Sequence, residues 1–582
     1  MIVEDLKKAV MATLTEIGVK GPEVVFEHPA EFSHGDVSTN VALVYAKELK
    51  IKPRELAESI RLALVKVLAQ DEMGISKVEI AGPGFINFYF TRRFFAEEVG
   101  AIEEGYGKNK QLAGKKVMVE YTDPNPFKEF HIGHLMNNAV GESIARLFEF
   151  QGATVVRACW QGDVGLHVAK AIWGMKKKFN VQRSTFKELT IRMLGEAYVF
   201  GSEMYEADET AKKEISALNR IIFEKSDAEV NMLYDAGRKV SLEHFEEIYK
   251  ILGTKFNHYF FEGIEGREGV PIVEEGLKKG VFEKSDGATV YKGEKKGLHT
   301  RVFINSQGLP TYEAKELGLN QAKFRVEPAL DTSIIITANE QSDYFRVVLS
   351  AMSEVLPEVA KRTKHIAHGM LKFASGKMSS RTGNVITGES LIEQVKELVQ
   401  EKIKEREMSP DEKEKLAEMV AIGAIKYSIL RQAIGGDIIF DFEKSISFEG
   451  DSGPYLQYSY VRARSVLVKA KDVPGVVGDK NVVIEKHIEH LQQFQHIQPF
   501  PLERLLVRFP EVVARAGEEY QPHYVTTYLT ELAGVFNSWY ANEKIIDASD
   551  PSSPYKLALT EKFAQVMKNG LWILGIKVPE RM

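Results

Sequence analysis

Apolar residues recur at helical spacing in the opening stretch, MIVEDLKKAVMATLTEIGV, which predicts an amphipathic helix. LKIKPRELAESIRLALVKVLA predicts a second, with Pro53 in its first turn, where a missing N–H costs little. KVEIAGPGFINFYF alternates with period two around a Gly-Pro-Gly turn and reads as two strands. FFAEEVGAIEEGYGKNKQLAGKK then supplies a helix and a polar linker. KVMVEYT (116–122) is β-rich, DPNP breaks it, and HIGHLMNNAVGESIARLFEFQG returns to helical spacing until Gly152. ATVVRACW is a second short strand. Strand, loop, helix, strand is the unit of a parallel doubly wound sheet. From about 170 to 280 the pattern is charged and mostly helical, an insertion or an elaborated crossover, and SIIITAN (333–339) reads as another buried strand. Beyond about 386 the pattern is almost entirely helical, through KLAEMVAIGAIKYSILRQ, YLQYSYVRARSVLVKA and LALTEKFAQVMKNGLWILGI. No internal repeat or low-complexity tract interrupts it.

The chain has 582 residues, too many for one core. The pattern divides it into an α+β domain (1–108), an α/β Rossmann-like domain (109–385), a helical connecting region (386–449) and an all-α domain (450–582). No run of about 18 apolar residues predicts a membrane span, and the N-terminus lacks the layout of a secretory signal. The one cysteine, Cys159, excludes an intrachain disulfide and a thiolate-rich zinc site. It reads as a small buried hydrophobe in a protein of the reducing cytoplasm. A net charge of -6 argues against indiscriminate nucleic-acid binding and leaves room for a local basic face.

FHIGHLMN puts His131 and His134 around Gly133 at the predicted start of a helix that follows a strand. Free backbone N–H groups and the positive dipole end suit phosphate there, and imidazoles at i and i+3 add donors on one face. A glycine between them lets a flat base or ribose approach the backbone. Alone, the motif is equally compatible with two partly exposed helix histidines. Some 240 residues later comes HGMLKFASGKMSSRTGN (368–384), rich in glycine and serine and made cationic by Lys377 and Arg381. Such a loop can close on ATP phosphates as pyrophosphate leaves. Alone, it reads as a solvated basic loop.

Together, His131-Ile132-Gly133-His134 and Lys377-Met378-Ser379-Ser380-Arg381 resemble the HIGH and KMSKS signatures of class I aminoacyl-tRNA synthetases. Over nearly the whole chain the context is similar to the arginyl-tRNA synthetase family. VEYTDPNPFKEFHIGHL resembles its segment leading into HIGH, GDVGLH its GDWGTQ with Val164 for tryptophan, and TYEAKELG its Y-x-x-x-D segment. PYLQYSYVRARS resembles its PYLQYAHAR, and HGDVSTNVA and AGPGFINF resemble its N-terminal domain. Ser380 stands where KMSKS has a second lysine. Many arginyl enzymes instead carry a lysine three residues before HIGH, the position of Lys128.

The resemblance implies that His131, His134, Lys128 and Lys377 are catalytic. It implies an ATP site of those residues with Gly133, Gly376, Met378, Ser379, Ser380 and Arg381. It places Glu120 and Glu316 on the arginine guanidinium, with Tyr312 beside them and Glu316 in place of the usual aspartate. Asn125 and Gln341 fall near the α-amino and carboxylate end, with Asp123 and His134 also in the arginine site. A planar, permanently charged guanidinium calls for carboxylates in fork geometry, and such a pocket needs no editing domain. Expected substrates are ATP with Mg2+, L-arginine and tRNA(Arg), with no structural metal, no membrane partner and a monomeric enzyme. Arginine activation is expected to depend on bound tRNA. Asn87 and Tyr89 are candidates for the tRNA elbow, and Tyr455, Tyr458, Tyr460, Arg462, Arg464 and Trp539 for the anticodon stem and loop. The rival readings are a metabolic nucleotidyltransferase with an HxGH motif, a non-catalytic tRNA binder and, lowest, a metal-dependent hydrolase.

Overall fold

A computed structural model describes residues 2–68, 74–373, 387–473 and 499–582. The chain forms two compact units. One comprises Met1–Tyr106, Arg462–Phe509 and Glu531–Met567; the other comprises Gly107–Val461, Pro510–Thr530 and Lys568–Met582.

The first unit begins with α1 (Ile2–Glu16), β1 (Phe26–Glu27), β2 (Val37–Thr39), α2 (Val41–Leu49), α3 (Pro53–Leu68), β3 (Ile75–Ala81), β4 (Phe85–Phe90) and α4 (Arg92–Gly100). Its antiparallel sheet has the order β1-β2-β4-β3, with the Gly-Pro-Gly turn joining β3 to β4. The helical stripe of α1 (Leu6, Val10, Leu14) and that of α3 (Leu56, Ile60, Leu64) are buried with Ile86 and Phe88 of β4. Asp36 of the HGD segment is buried, accepts the Phe90 N–H at 2.7 Å and pairs with Arg504.

The second unit is built on a five-stranded, all-parallel sheet of order β12-β11-β5-β6-β7. β5 (Lys116–Glu120) leads through α5 (Ile132–Phe150) to β6 (Thr154–Gln161). The predicted insertion supplies α6 (Leu166–Lys177), α7 (Ile191–Ala207), α8 (Glu209–Glu224) and α9 (Ala228–Leu252). It is not purely helical, because β7 (His258–Phe261) lies inside it and forms the sheet edge beside β6. After α10 (Glu262–Lys278), a small antiparallel sheet of β8 (Glu283–Ser285), β9 (Ala288–Tyr291) and β10 (Arg301–Ile304) precedes α11 (Tyr312–Val326). β11 (Thr332–Ala338) then pairs on the other side of β5, followed by α12 (Ser342–Val355), α13 (Pro357–Ala360) and β12 (Thr363–His368). The order therefore reverses between β5 and β11. The crevice beyond the carboxyl ends of those two strands is where ligands bind in open α/β sheets.

Two glycines set the position of α11. A Cβ on Gly269 would lie 1.8 Å from Ala314 O and one on Gly318 would lie 2.3 Å from Glu265 O, so α10 and α11 pack backbone to backbone. The remaining elements are β13 (Leu371–Phe373), α14 (Gly388–Ile403), α15 (Pro410–Leu430), β14 (Ile438–Phe440), α16 (Phe442–Ser445) and α17 (Gly453–Ala470). They are followed by α18 (Pro501–Leu506), α19 (Phe509–Glu518), α20 (His523–Asn542) and α21 (Ser553–Ile573). The short strand β14, paired with β13, is an exception within the almost entirely helical pattern expected beyond 386. No described helix is long and apolar enough to cross a membrane.

Candidate functional site

The N-terminus of α5 opens at the switch point. His131 is its N-cap: its Nδ1 accepts the Gly133 N–H at 3.1 Å, and its own N–H is accepted by His134 Nδ1 at 3.3 Å. This reciprocal capping satisfies two otherwise orphaned donors. It also fixes the tautomers, because each Nδ1 is an acceptor, so each proton sits on Nε2. The rings stack with centroids 3.5 Å apart. Burial, reinforced by His131 and Lys128, holds the His134 imidazole well below its usual pKa and neutral. A Cβ on Gly133 would fall 2.9 Å from His131 Cε1. Gly133 is therefore needed first to let the His131 ring fold onto the helix, a nearer cause than approach of a base.

The loop from β5 to α5 is strained. Thr122, Asp123 and Phe127 have φ of 81°, 48° and 68°, and a β-branched residue there is a genuine outlier. The predicted strand 116–122 accordingly stops at Glu120. Strain persists only where the surroundings over-determine it. Here the Thr122 N–H donates to Asn137 Oδ1, Asn138 Nδ2 donates to Thr122 Oγ1, Asp123 accepts the Trp160 N–H at 2.7 Å, and the Phe127 N–H donates to Ser241 Oγ. Asn137 and Asn138 lie one turn beyond the histidines on α5, so the helix that presents the imidazoles also holds the loop. Sequence reasoning missed these two asparagines and Ser241. An asparagine pair inside a helix, a costly place for it, was the available signal.

Beyond β5 lies an acidic cluster. Glu120 ends the strand and is buried, and Glu316 and Asn320 of α11 are buried beside it. Asn320 Nδ2 donates to Glu316 Oε1 at 2.9 Å. Lys323, fully buried, places Nζ 2.6 Å from Glu120 Oε2. Burial, and then the Glu120 charge, push the Glu316 carboxyl up to about 7. The same two causes raise Asp123 well above the usual carboxylate range. Nearby, Glu262 and Lys315 form a buried pair at 2.9 Å. Lys323 and Asn320 were not foreseen.

Of the other expected site residues, Asn125 stands beside Gly162, whose added Cβ would meet Asn125 Oδ1 at 2.3 Å. Lys128 is half-buried, with Nζ 4.7 Å from the Tyr198 ring centroid. Tyr312 is exposed at the start of α11, and Gln341 is exposed at the turn between β11 and α12. Gly376, Lys377, Met378, Ser379, Ser380 and Arg381 lie outside the described residues. Val164 and Cys159 are buried, and burial raises the Cys159 thiol.

The expected tRNA contacts separate into two groups. Asn87 is buried and accepts from Ser38 Oγ, and Trp539 is buried against Phe500 and Phe536, so neither presents a face to a base. Tyr89 is half-buried, its hydroxyl donating to Glu79 at 2.9 Å. Tyr455, Tyr458 and Tyr460 are half-buried on α17, Arg464 is exposed, and Arg462 donates to Asn537. Among the described residues, no group of three or more His, Cys, Asp or Glu side chains could hold a metal ion.

A parallel sheet with a histidine-capped helix at its switch point places the second unit among the class I aminoacyl-tRNA synthetases. Residues 101–442 match the family model described as "tRNA synthetases class I (R), catalytic domain". Residues 4–90 match "Arginyl tRNA synthetase N terminal domain" and 456–582 match "DALR anticodon binding domain". The arginine–tRNA ligase of Clostridium acetobutylicum is 31 % identical over 99 % of this chain and 100 % of its own length. That of Clostridium perfringens is 30 % identical with the same coverage. The arginyl-tRNA synthetase structure from Thermus thermophilus has the same fold, with TM-score 0.78 and 23 % identity over 100 % of both chains. That from Plasmodium falciparum has TM-score 0.75 at 19 % identity, covering 100 % of this chain and 99 % of its own. The chain belongs to the arginyl-tRNA synthetase family.

Proposed function

We infer that the chain is an arginine–tRNA ligase: it activates L-arginine with ATP and transfers it to the 3'-terminal adenosine of tRNA(Arg). The observation that carries this reading is the buried Glu120–Glu316 pair at the switch point, beside the capped helix bearing His131 and His134. In the first step an arginine carboxylate oxygen attacks the α-phosphorus, the bond to the β-phosphate oxygen breaks, and pyrophosphate leaves. In the second, a ribose hydroxyl of the terminal adenosine, the 2'-hydroxyl in class I chemistry, attacks the adenylate carbonyl and AMP leaves.

Positioning and charge stabilisation supply most of the catalysis in such a reaction. His131 and His134, neutral and donating from Nε2, bind phosphate oxygens without titrating in the working range. Lys377 supplies cationic charge from the KMSKS-like segment, and Lys128 supplies the charge that its missing second lysine would otherwise bring. Glu120 and Glu316 receive the guanidinium, with Asp123 and Tyr312 beside them, and Asn125 and Gln341 orient the α-amino and carboxylate groups. The reading includes Mg2+ carried on the ATP polyphosphate, a monomeric enzyme, a cytoplasmic location and no membrane partner. Tyr89 would meet the tRNA elbow. Tyr455, Tyr458 and Arg464 would meet the anticodon arm.

The test is ATP–pyrophosphate exchange with each amino acid, with and without bulk tRNA. Exchange with arginine alone, and only when tRNA is present, is the expected result. Exchange with another amino acid would keep the class I chemistry and overturn the pocket.

A further inference from the structure

The acidic pocket contains a cation that the reaction does not use. Glu316, Asn320 and Lys323 occupy positions i, i+4 and i+7 of α11, one face of a helix that is buried nearly all round. Lys323 Nζ lies 2.6 Å from Glu120 Oε2 and donates to Asn320 Oδ1 at 3.5 Å, and Asn320 donates to Glu316. One polar chain thus joins both guanidinium-binding carboxylates through side chains buried away from water. The lysine compensates Glu120 in charge at Oε2. A carboxylate held and partly neutralised in this way keeps a second oxygen for a group whose donors lie in a fixed plane.

We propose that Lys323 is a specificity-determining positioning residue of the arginine pocket: its ammonium holds the Glu120 carboxylate in place and cancels one buried negative charge, leaving a net charge and donor demand that match one guanidinium. The proposal rests on the arginine-pocket reading above.

Every charged group around the pocket bears on it. β5 contributes Glu120, and the loop after it contributes Asp123, itself held by the Trp160 amide. α11 contributes Glu316 and Lys323, while Lys315 of α11 is spent on Glu262 at the start of α10. α12 contributes the half-buried Tyr344 phenol, whose own pKa is raised by desolvation and then by Glu316. Lys323 is therefore the one cation in direct contact with either guanidinium-binding carboxylate among the described residues. Burial and Glu120 raise Glu316, whereas Lys323 and Asn320 oppose the rise. Removing the ammonium must push Glu316 further toward its protonated, non-binding form.

The experiment compares wild type, Lys323→Met and Lys323→Arg in ATP–pyrophosphate exchange with saturating tRNA, from pH 5.5 to 9. Lys323→Met is expected to raise the arginine KM more than about tenfold and to move the acid limb of kcat/KM for arginine upward by about one pH unit or more. ATP KM and kcat at saturating arginine should change less than about threefold. Lys323→Arg keeps the charge and displaces the head group, so its acid limb stays at the wild-type pH while its arginine KM rises. A merely structural lysine would lower folding stability and kcat and leave the acid limb unmoved in both variants, and that result overturns the proposal. Equal displacement of the limb in both variants also overturns it. Should Lys323→Met not fold, Lys323→Arg decides alone: a raised KM with an unmoved limb supports the proposal, and an unchanged KM contradicts it. Failure of the underlying reading is separate, because wild type would then activate an amino acid other than arginine.

Discussion

At the mouth of α5 the polar side chains are neutral imidazoles, each protonated on Nε2, with His131 locked by the Gly133 N–H and His134 by the His131 N–H. Behind the end of β5 they are carboxylates and an ammonium, buried against one another. In the proposed function both groups serve one crevice, yet they solve opposite problems. A phosphate brings its own charge and needs donors, which a helix N-terminus supplies from consecutive residues. A guanidinium brings donors and a fixed cation, and needs acceptors held in low dielectric, where like charges repel. Such acceptors must come from elements far apart in the chain, with an internal cation to make their burial tolerable.

The difference predicts that the acidic side governs which amino acid is used and the imidazole side governs rate. The largest effect is expected for Glu120→Gln, which should lower kcat/KM for arginine by about 10³-fold or more while ATP KM stays near its wild-type value. A comparable loss in ATP KM would break the division. Next, His134→Ala should reduce the rate of adenylate formation by about 10²- to 10³-fold, measured by single-turnover kinetics, with little change in arginine affinity. If arginine affinity falls instead, the histidine belongs to the pocket.

A smaller effect is expected with pH. Arginine keeps its charge throughout the working range and binds the ionised form of Glu316, whose pKa in the free protein is raised to about 7. Arginine affinity is therefore full above that value and falls as pH drops through it, by at most about tenfold per unit. Titration calorimetry in buffers of different ionisation enthalpy should show a proton released on binding near neutral pH. No release would mean that Glu316 is already ionised. Glu316→Asp, which withdraws the carboxylate by one methylene, should shift arginine KM by only a few-fold, because Asn320 and Lys323 still border it. Least of all, Cys159→Ala should cost about 1 kcal/mol of stability by thermal unfolding and leave kcat unchanged, since the thiol is buried.

What the sequence revealed follows the same division. H-x-G-H, the strands ending near Glu120 and Ala338, and the helix broken at Gly152 are local patterns, readable from spacing alone. β7 was hidden because HYFF is only four residues long and follows a long helix across a short turn. β8, β9 and β10 were hidden because each has at most four residues among charged neighbours. α11 is buried nearly all round, so periodicity could not single out its inward face, and Lys323 in NQAKFR looks like any solvated lysine. Asn87 was placed by its motif and Trp539 by its aromatic side chain in a C-terminal helix, but neither signal reports burial, and both are enclosed.

The central claim is that buried carboxylates at the switch point select a cation. Its most direct test is ATP–pyrophosphate exchange, in the presence of tRNA, with arginine and with citrulline, the neutral near-isostere, in wild type and Glu120→Gln. The account predicts that wild type prefers arginine by at least about 10³-fold and that the substitution removes most of this preference through arginine alone. Comparable use of citrulline by wild type, or a preference that survives in Glu120→Gln, would contradict it.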